Sequence, residues 1–323
     1  MIHNAAANRR TPPIPCMPAC WVDDDPARAL ADAFAGAGIS ARAVGGAVRD
    51  GLRGSRSPAR VEVLVAASRE RLAGCLRGTP FGPGGRRPAH WSRTAFDFRP
   101  IGDGSGEAEF DRDASGRDFT VNAVRCDLGG RVTDPLGGVG DALGGRVRLA
   151  SPGALRDAPV RVVRYARMRA VLGEGEPDAE TREEAEAYAG RLRDAPPGDV
   201  LDEMLRLARL SPAEAVRGFG EFAAIGGLDA VARDHSVDRL AGFLAGDAHP
   251  ALTADPYLRL GVLALYREGD GWANGMLPRW GDARDARVAA PATVSGRGGS
   301  RDRRHGLPAE RASALADAVA ALA

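Results

Sequence analysis

The chain has 323 residues, room for about two domains, and 44% of them are hydrophobic, as in ordinary globular proteins. A net charge of +1 gives no global basic excess of the kind that announces nucleic-acid coating. No apolar run approaches the roughly 20 residues a membrane-spanning helix needs, so no membrane role is expected. All of the basic residues are arginine, which is a weak hint of anion recognition through guanidinium forks. The four cysteines, Cys16, Cys20, Cys75 and Cys126, form neither a zinc-spaced set nor a dense disulfide framework. The N-terminus lacks the apolar core of a signal peptide, so the expected location is cytoplasmic.

In chain order, residues 1–21 are Pro-rich and polar and are expected to form a disordered tail. "DDDPARALADAFAGAG" reads as a helix, with Asp24 or Asp25 as the cap and Pro26 in the first turn. "ISARAV" reads as a strand, Gly45-Gly46 as a turn, and "AVRDGLRG" as a second helix. "ARVEVLVA" alternates and is rich in Val, which makes a strand. "SRERLAGCLR" is helical. "TAFDFRPI" and "GEAEFDRD" read as two strands of a hairpin joined at "GDGSG". "RDFTVNAVRCD" is a junction between a helix and a strand, and "GRVTDPLGG" carries a turn. "VGDALGGRVRLA" reads as a short helix followed by a strand. From residue 153 the pattern becomes helical throughout, and after about 270 it loses periodicity, with one possible last helix in "ERASALADAVAALA".

Two glycines between a strand and a helix allow close backbone approach to a ligand, and the following helix start offers free N–H groups. Arg49 can add a forked contact to phosphate. The ordered motifs that follow are more specific. "GGAVRD" spans Gly45 to Asp50, "GRDFTVNA" spans Gly116 to Ala123, and "DPLGG" spans Asp134 to Gly138. Asp157-Ala158-x-x-Arg161 and the arginines of "RVVRYARMRA" come next. In this order and spacing the chain resembles the bacterial-type tRNA nucleotidyltransferase and poly(A) polymerase family over roughly residues 22–230. That family carries GGxVRD…DxD, RRDFTxNA, DPxGG, and EDxxR followed by LRxxRF.

The resemblance implies an α+β fold. A nucleotidyltransferase head with a mixed β-sheet and flanking helices is expected at 22–152, an all-helical RNA-binding neck and body at 153–270, and a flexible tail at 271–323. It implies Mg²⁺ as cofactor, CTP or ATP as substrate, and tRNA or another RNA 3′ end as acceptor. It also implies nucleotide contacts from Gly45, Gly46, Arg49, Asp50, Arg117, Asp118, Asn122, Asp157, Arg161 and Arg164. Metal-assisted transfer needs hard oxygen ligands, and residues two apart on a strand point the same way, so D-x-D aims two acids at the metals.

Here the catalytic pair is Arg60 and Glu62, leaving Glu62 as the one acid of the motif to serve as a metal ligand. The family expects a further acid on the strand before "GRDFTVNA", with Glu107, Glu109 and Asp111 as candidates. The segment in front of that motif is also shorter than usual. Ala158 replaces the Asp that, with Arg161, reads the base edge in the family. Arg161, Arg164 and Arg167 share a helix face and, with Arg49, suggest an anion-binding wall; a solvated arginine face is the plainer alternative. His235 lies beside Asp234, the reverse of a His-Asp phosphohydrolase pair, and reads as a surface residue. Three readings stay open: a working RNA nucleotidyltransferase, an impaired or inactive relative that binds RNA or nucleotide, and a variant that merely folds.

Overall fold

The computed structural model describes residues 16–18, 21–55, 58–77, 79–82, 95–103, 107–173, 175–232, 235–246, 253–254 and 256–263. They fall into two compact units. The first runs to Ala154 and includes Gly175–Asp178; the second comprises Leu155–Glu174 and the residues from Ala179 on. The fold is α+β, with a mixed sheet in the first unit and helices in the second.

The sheet contains β1 (Ala41–Val44), β2 (Arg60–Val65), β3 (Ala95–Pro100), β4 (Arg125–Cys126) and β5 (Val132–Thr133), in the order β3-β2-β1-β4-β5. β1 runs antiparallel to β2 and β4, β2 is parallel to β3, and β4 and β5 are antiparallel. Alternation along each strand divides the sheet into two chemically different faces. Ala41, Ala43, Val61, Val63, Val65 and Phe96 all belong to one buried core. That core takes Leu30 and Phe34 from α1 (Asp25–Gly36), Val48 and Leu52 from α2 (Gly46–Leu52), and Leu72 and Leu76 from α3 (Arg69–Leu76). The other face carries Arg42, Val44, Arg60, Glu62, Leu64, Asp97, Arg99 and Arg125, as their register shows. Its apolar part is small: Val44, Leu64 and Ala66 meet Phe110 of α4 (Glu107–Gly116). The charged remainder of this face is the candidate site.

Three sequence expectations change here. From Glu107 on, "EAEFDRD" is helical, the start of α4, so the expected hairpin is not formed. Its alternating acids look strand-like, but Phe110 and Ala114, four apart, are the buried pair, and Glu107 and Glu109 sit in the first turn where acids favour a helix. Part of the expected N-terminal tail is also ordered. Cys16 bridges to Arg131, Met17 N–H donates to the Gly130 carbonyl at 2.8 Å, and buried Trp21 donates its indole N–H to the Ala47 carbonyl at 3.3 Å. After α5 (Gly138–Leu143), the expected strand is reduced to a single bridge between Phe119 and Leu149.

The second unit is built from α6 (Ala154–Asp157, which starts at the boundary), α7 (Arg161–Leu172), α8 (Ala179–Tyr188), α9 (Pro197–Ala208), α10 (Pro212–Ala224), α11 (Gly227–Val231), α12 (Val237–Ala245) and α13 (Pro256–Leu263). Ser236 caps α12 by accepting from the Arg239 N–H at 3.1 Å. Ser211 and Glu214 form a capping box that fixes the start of α10. α7, α9 and α10 meet at Gly218, where an added Cβ would lie 2.3 Å from Leu207 Cδ1 and 3.0 Å from Ala170 Cβ. The expected tail at 271–323 lies outside the described residues, as does Cys20.

Candidate functional site

On the polar face of the sheet, β2 and β3 bring two carboxylates side by side. Glu62 and Asp97 are register partners on parallel neighbours, and such strands lie about 4.8 Å apart. They border a cleft of about 640 Å³ whose lining includes Val44, Gly46, Arg60 and Arg99. Asp97 is the acid that sequence reading missed. The candidates Glu107, Glu109 and Asp111 are on α4, not on a strand. Glu107 accepts from Arg42 at 3.1 Å and Asp111 from Arg125 at 2.8 Å. Glu109 Oε2 is buried with no partner among the described residues.

Each site carboxylate faces an arginine. Arg60 pairs with Asp97. Arg117 clamps Glu62 with two N–H groups, at 2.9 and 3.2 Å, and Arg99 Nε donates to Glu62 at 3.2 Å. Asp113 of α4 closes the network by accepting from Arg117 Nε at 3.0 Å and from Arg99. Three guanidinium groups thus meet three carboxylates, a locally neutral array. Burial weakens the charge on Arg117, but hydrogen bonding to Glu62 and the field of Asp113 outweigh it, so its pKa lies above the ordinary arginine value. Gly45 adopts φ +73°, and a Cβ there would sit 3.5 Å from Arg117 Nη1 and 3.6 Å from Glu62 Oε2. The glycine therefore supplies a left-handed turn directly beside the clamp.

Behind this surface lies a buried polar chain that joins two motifs. Asp118 accepts from its neighbour Phe119 N–H at 2.8 Å and from Asn122 Nδ2 at 2.9 Å. Asn122 Oδ1 in turn accepts from Arg49 Nη1 at 2.9 Å. Arg49 also grips Asp50 at 2.7 and 2.9 Å. Arg49, Asp118 and Asn122 are all buried, so the geometry gives them a bracing part: they hold the Gly45-Gly46 turn against the "RDFTVN" segment.

The remaining sequence-selected residues belong to the helical unit. Asp157 accepts from Arg156 at 3.1 Å on an exposed surface, which raises the Arg156 pKa. Arg161 opens α7, with its backbone N–H donating to the Ala158 carbonyl. Arg164, Arg167 and Arg206 converge on buried Glu203 at 3.0, 3.1 and 2.9 Å. The expected arginine wall is thus organised, in part, around an internal acid. His235 meets Asp229 at 3.0 Å on an exposed patch.

A Mg²⁺ ion asks for near-octahedral oxygen donors. Here both oxygens of Glu62 accept from Arg117, Arg99 adds a further contact, and Asp97 is paired with Arg60. At an effective dielectric of about 20, a divalent ion roughly 4 Å from a guanidinium is repelled by several kcal/mol. These residues do not fit a magnesium ion. Among the described residues, no cluster of three or more His, Cys, Asp or Glu could hold one.

The first unit thus presents a mixed sheet with paired carboxylates on one face and a Gly-Gly turn beside them, and the second unit is helical. No family model matches the chain. It is 35% identical over 170 residues to the A-adding tRNA nucleotidyltransferase of Deinococcus radiodurans, covering 51% of this chain and 33% of that one. It is 34% identical over 140 residues to the CC-adding enzyme of Halalkalibacterium halodurans, covering 42% and 36%. The chain spans about a third of the length of these curated relatives. A solved CCA-adding enzyme with ATP has a TM-score of 0.65 at 17% identity, covering 81% of this chain and 67% of the other. The Thermotoga maritima CCA-adding enzyme complexed with tRNA has a TM-score of 0.63 at 18% identity, again covering 81% and 67%. Over about half of its length the chain is thus similar to bacterial tRNA nucleotidyltransferases, and its fold is that of the solved CCA-adding enzymes.

Proposed function

We propose that this protein acts at RNA 3′ ends, the tRNA CCA end foremost, as a tRNA nucleotidyltransferase-family protein whose transfer step is strongly impaired. In the complete reaction the RNA 3′-hydroxyl oxygen attacks the α-phosphorus of CTP or ATP. The P–O bond to pyrophosphate breaks, and the hydroxyl proton is lost. In the family, Mg²⁺ lowers the hydroxyl pKa and neutralises the leaving group. The observation that carries the reading of impairment is the ion pair between Arg60 and Asp97 where an acid pair is required. Arg60 and Arg99 offer charge to a triphosphate but neither ionises the attacking hydroxyl, and Glu62 is held by Arg117 and Arg99.

The Gly45-Gly46 turn, with Arg49 and Asp50 behind it, shapes the nucleotide side of the cleft. Arg117, Asp118 and Asn122 organise that side from the second motif. Arg161 matches the Arg of the family's base-reading motif, Asp157 takes that motif's first, acidic position, and Arg164 adds positive charge to the Arg161 helix.

A second reading, a pseudoenzyme that only binds RNA or nucleotide, is favoured by Ala158. With no polar group there, half of the base reader is lost together with the acid pair. One assay separates the readings: tRNA lacking CCA, labelled CTP or ATP, and Mg²⁺. Weak incorporation is expected for the impaired enzyme and none for the pseudoenzyme; robust incorporation overturns both. In the same assay, Arg60→Asp combined with Ala158→Asp raises incorporation if those two losses are limiting. No gain would place the defect in the shortened segment or the scaffold.

A further inference from the structure

We propose that the cleft on the Glu62 face binds the polyphosphate of a nucleoside triphosphate without a divalent cation, with Arg60 and Arg99 supplying the countercharge. The inference rests on the nucleotide-binding reading above and concerns how that ligand is held. Three observations carry it.

The first is the disagreement between the site and its expected metal. Built-in guanidinium groups already neutralise the carboxylates of the array, so a metal ion gains little there and is repelled by three fixed cations.

The second is exposure. Arg60 and Arg99 are the most exposed charges of the array, with side chains 73% and 48% accessible. Arg117 and Asp113, at 14% and 10%, sit beneath. An anion arriving from solvent therefore meets cations first.

The third is donor capacity. A guanidinium has five N–H donors in a planar fork suited to phosphate. Among the described residues Arg60 engages Asp97 through Nε alone, which leaves both of its Nη groups for a second anion. Arg99 uses Nε on Glu62 and Nη2 on Asp113, leaving Nη1. The cleft's volume of about 640 Å³ lies within the ordinary range for small-molecule sites.

The test is calorimetric titration of CTP and of ATP into the full chain, once in EDTA and once in excess Mg²⁺. The two dissociation constants are expected to agree within about threefold, less than the roughly tenfold that 1.4 kcal/mol represents. Arg60→Gln is expected to weaken binding by about tenfold or more in both buffers, the loss of one charge-assisted contact. Binding that tightens by about tenfold or more with Mg²⁺ overturns the metal-free inference and leaves the nucleotide reading standing. No binding in either buffer overturns the nucleotide reading and this inference with it. Unchanged binding by a folded Arg60→Gln variant overturns the assignment to Arg60. The buffer comparison uses the unaltered protein and decides the metal question even if the variant does not fold. Electron paramagnetic resonance of Mn²⁺ alone is a second readout, and a bound signal from the unaltered protein contradicts the inference.

Discussion

Asp118 shows how a motif residue can brace the chain from within. Its carboxylate is buried and accepts from the Phe119 N–H and from Asn122, which in turn accepts from Arg49. The chain of bonds ties "GGAVRD" to "GRDFTVNA", although 73 positions separate Arg49 from Asn122. Asp118→Ala leaves two buried donors, the Phe119 N–H and the Asn122 amide, without their acceptor. Each such group costs about 1–3 kcal/mol, so a total loss of roughly 2–6 kcal/mol is expected. Urea denaturation measures it: the midpoint should fall at unchanged m-value. A change below about 0.5 kcal/mol, the size of an ordinary surface substitution, would mean that water or a rearrangement satisfies the network. Arg60 behaves differently. Its side chain is mostly exposed and its pair with Asp97 belongs to the class of surface ion pairs worth about 0–1 kcal/mol. Its substitution is therefore a probe of the cleft rather than of the fold.

At the scale of elements, α5 packs "DPLGG" against "GRDFTVNA". Asp134 caps α5 by accepting from the Gly138 and Val139 N–H groups at 2.8 and 2.9 Å. Gly138 packs against the Thr120–Asn122 turn so closely that a Cβ would fall 2.0 Å from the Thr120 carbonyl oxygen. The Thr120 hydroxyl also donates to Asp141 of α5 at 2.6 Å. Gly138→Ala must push backbone against backbone, and overpacking of this kind costs about 1–3 kcal/mol or more. Thermal unfolding should show a lowered Tm, and an unchanged Tm would refute the close approach.

Much of this level was legible in the sequence. The Gly-Gly turn, the β2 alternation and the turn in "GRVTDPLGG" are local signals. Asp97 was not legible, because its meaning comes from register: it faces Glu62 only after β2 and β3 pair in parallel. α4 was misread because its alternating acids imitate a strand, whereas the i, i+4 pair Phe110 and Ala114 decides the packing. The partners of the α7 arginines were hidden for a similar reason, since Glu203 lies 39 positions beyond Arg164 on another helix.

For the molecule as a whole, charge is balanced by pairing. The chain carries 44 basic and 43 acidic residues. Many arginines that composition offers to an RNA partner have internal acids instead. Arg125 pairs with Asp111, Arg148 with Asp141, and Arg164 and Arg167 with Glu203. Arg182 bridges Glu186 and Glu221, the latter of which also accepts from the Tyr165 hydroxyl. Burial and the Glu221 charge push the Tyr165 pKa well up, so this cluster stays a neutral phenol between a carboxylate and a cation.

Such internal pairing limits how much of an RNA backbone the protein can neutralise. If it grips a tRNA end through about three to five phosphates, the logarithm of affinity falls against the logarithm of salt with a slope of roughly −2.7 to −4.5 on duplex RNA, taking the B-DNA coefficient as a guide. Fluorescence anisotropy of a labelled tRNA lacking CCA, across a salt series, gives that slope. A slope near zero would remove phosphate contacts from the account. A slope near about −8 would require a broad basic face that the paired arginines do not leave available. The intermediate value is the one expected on the proposed RNA role, because a charge-balanced protein would have to use a few placed guanidinium groups rather than net charge.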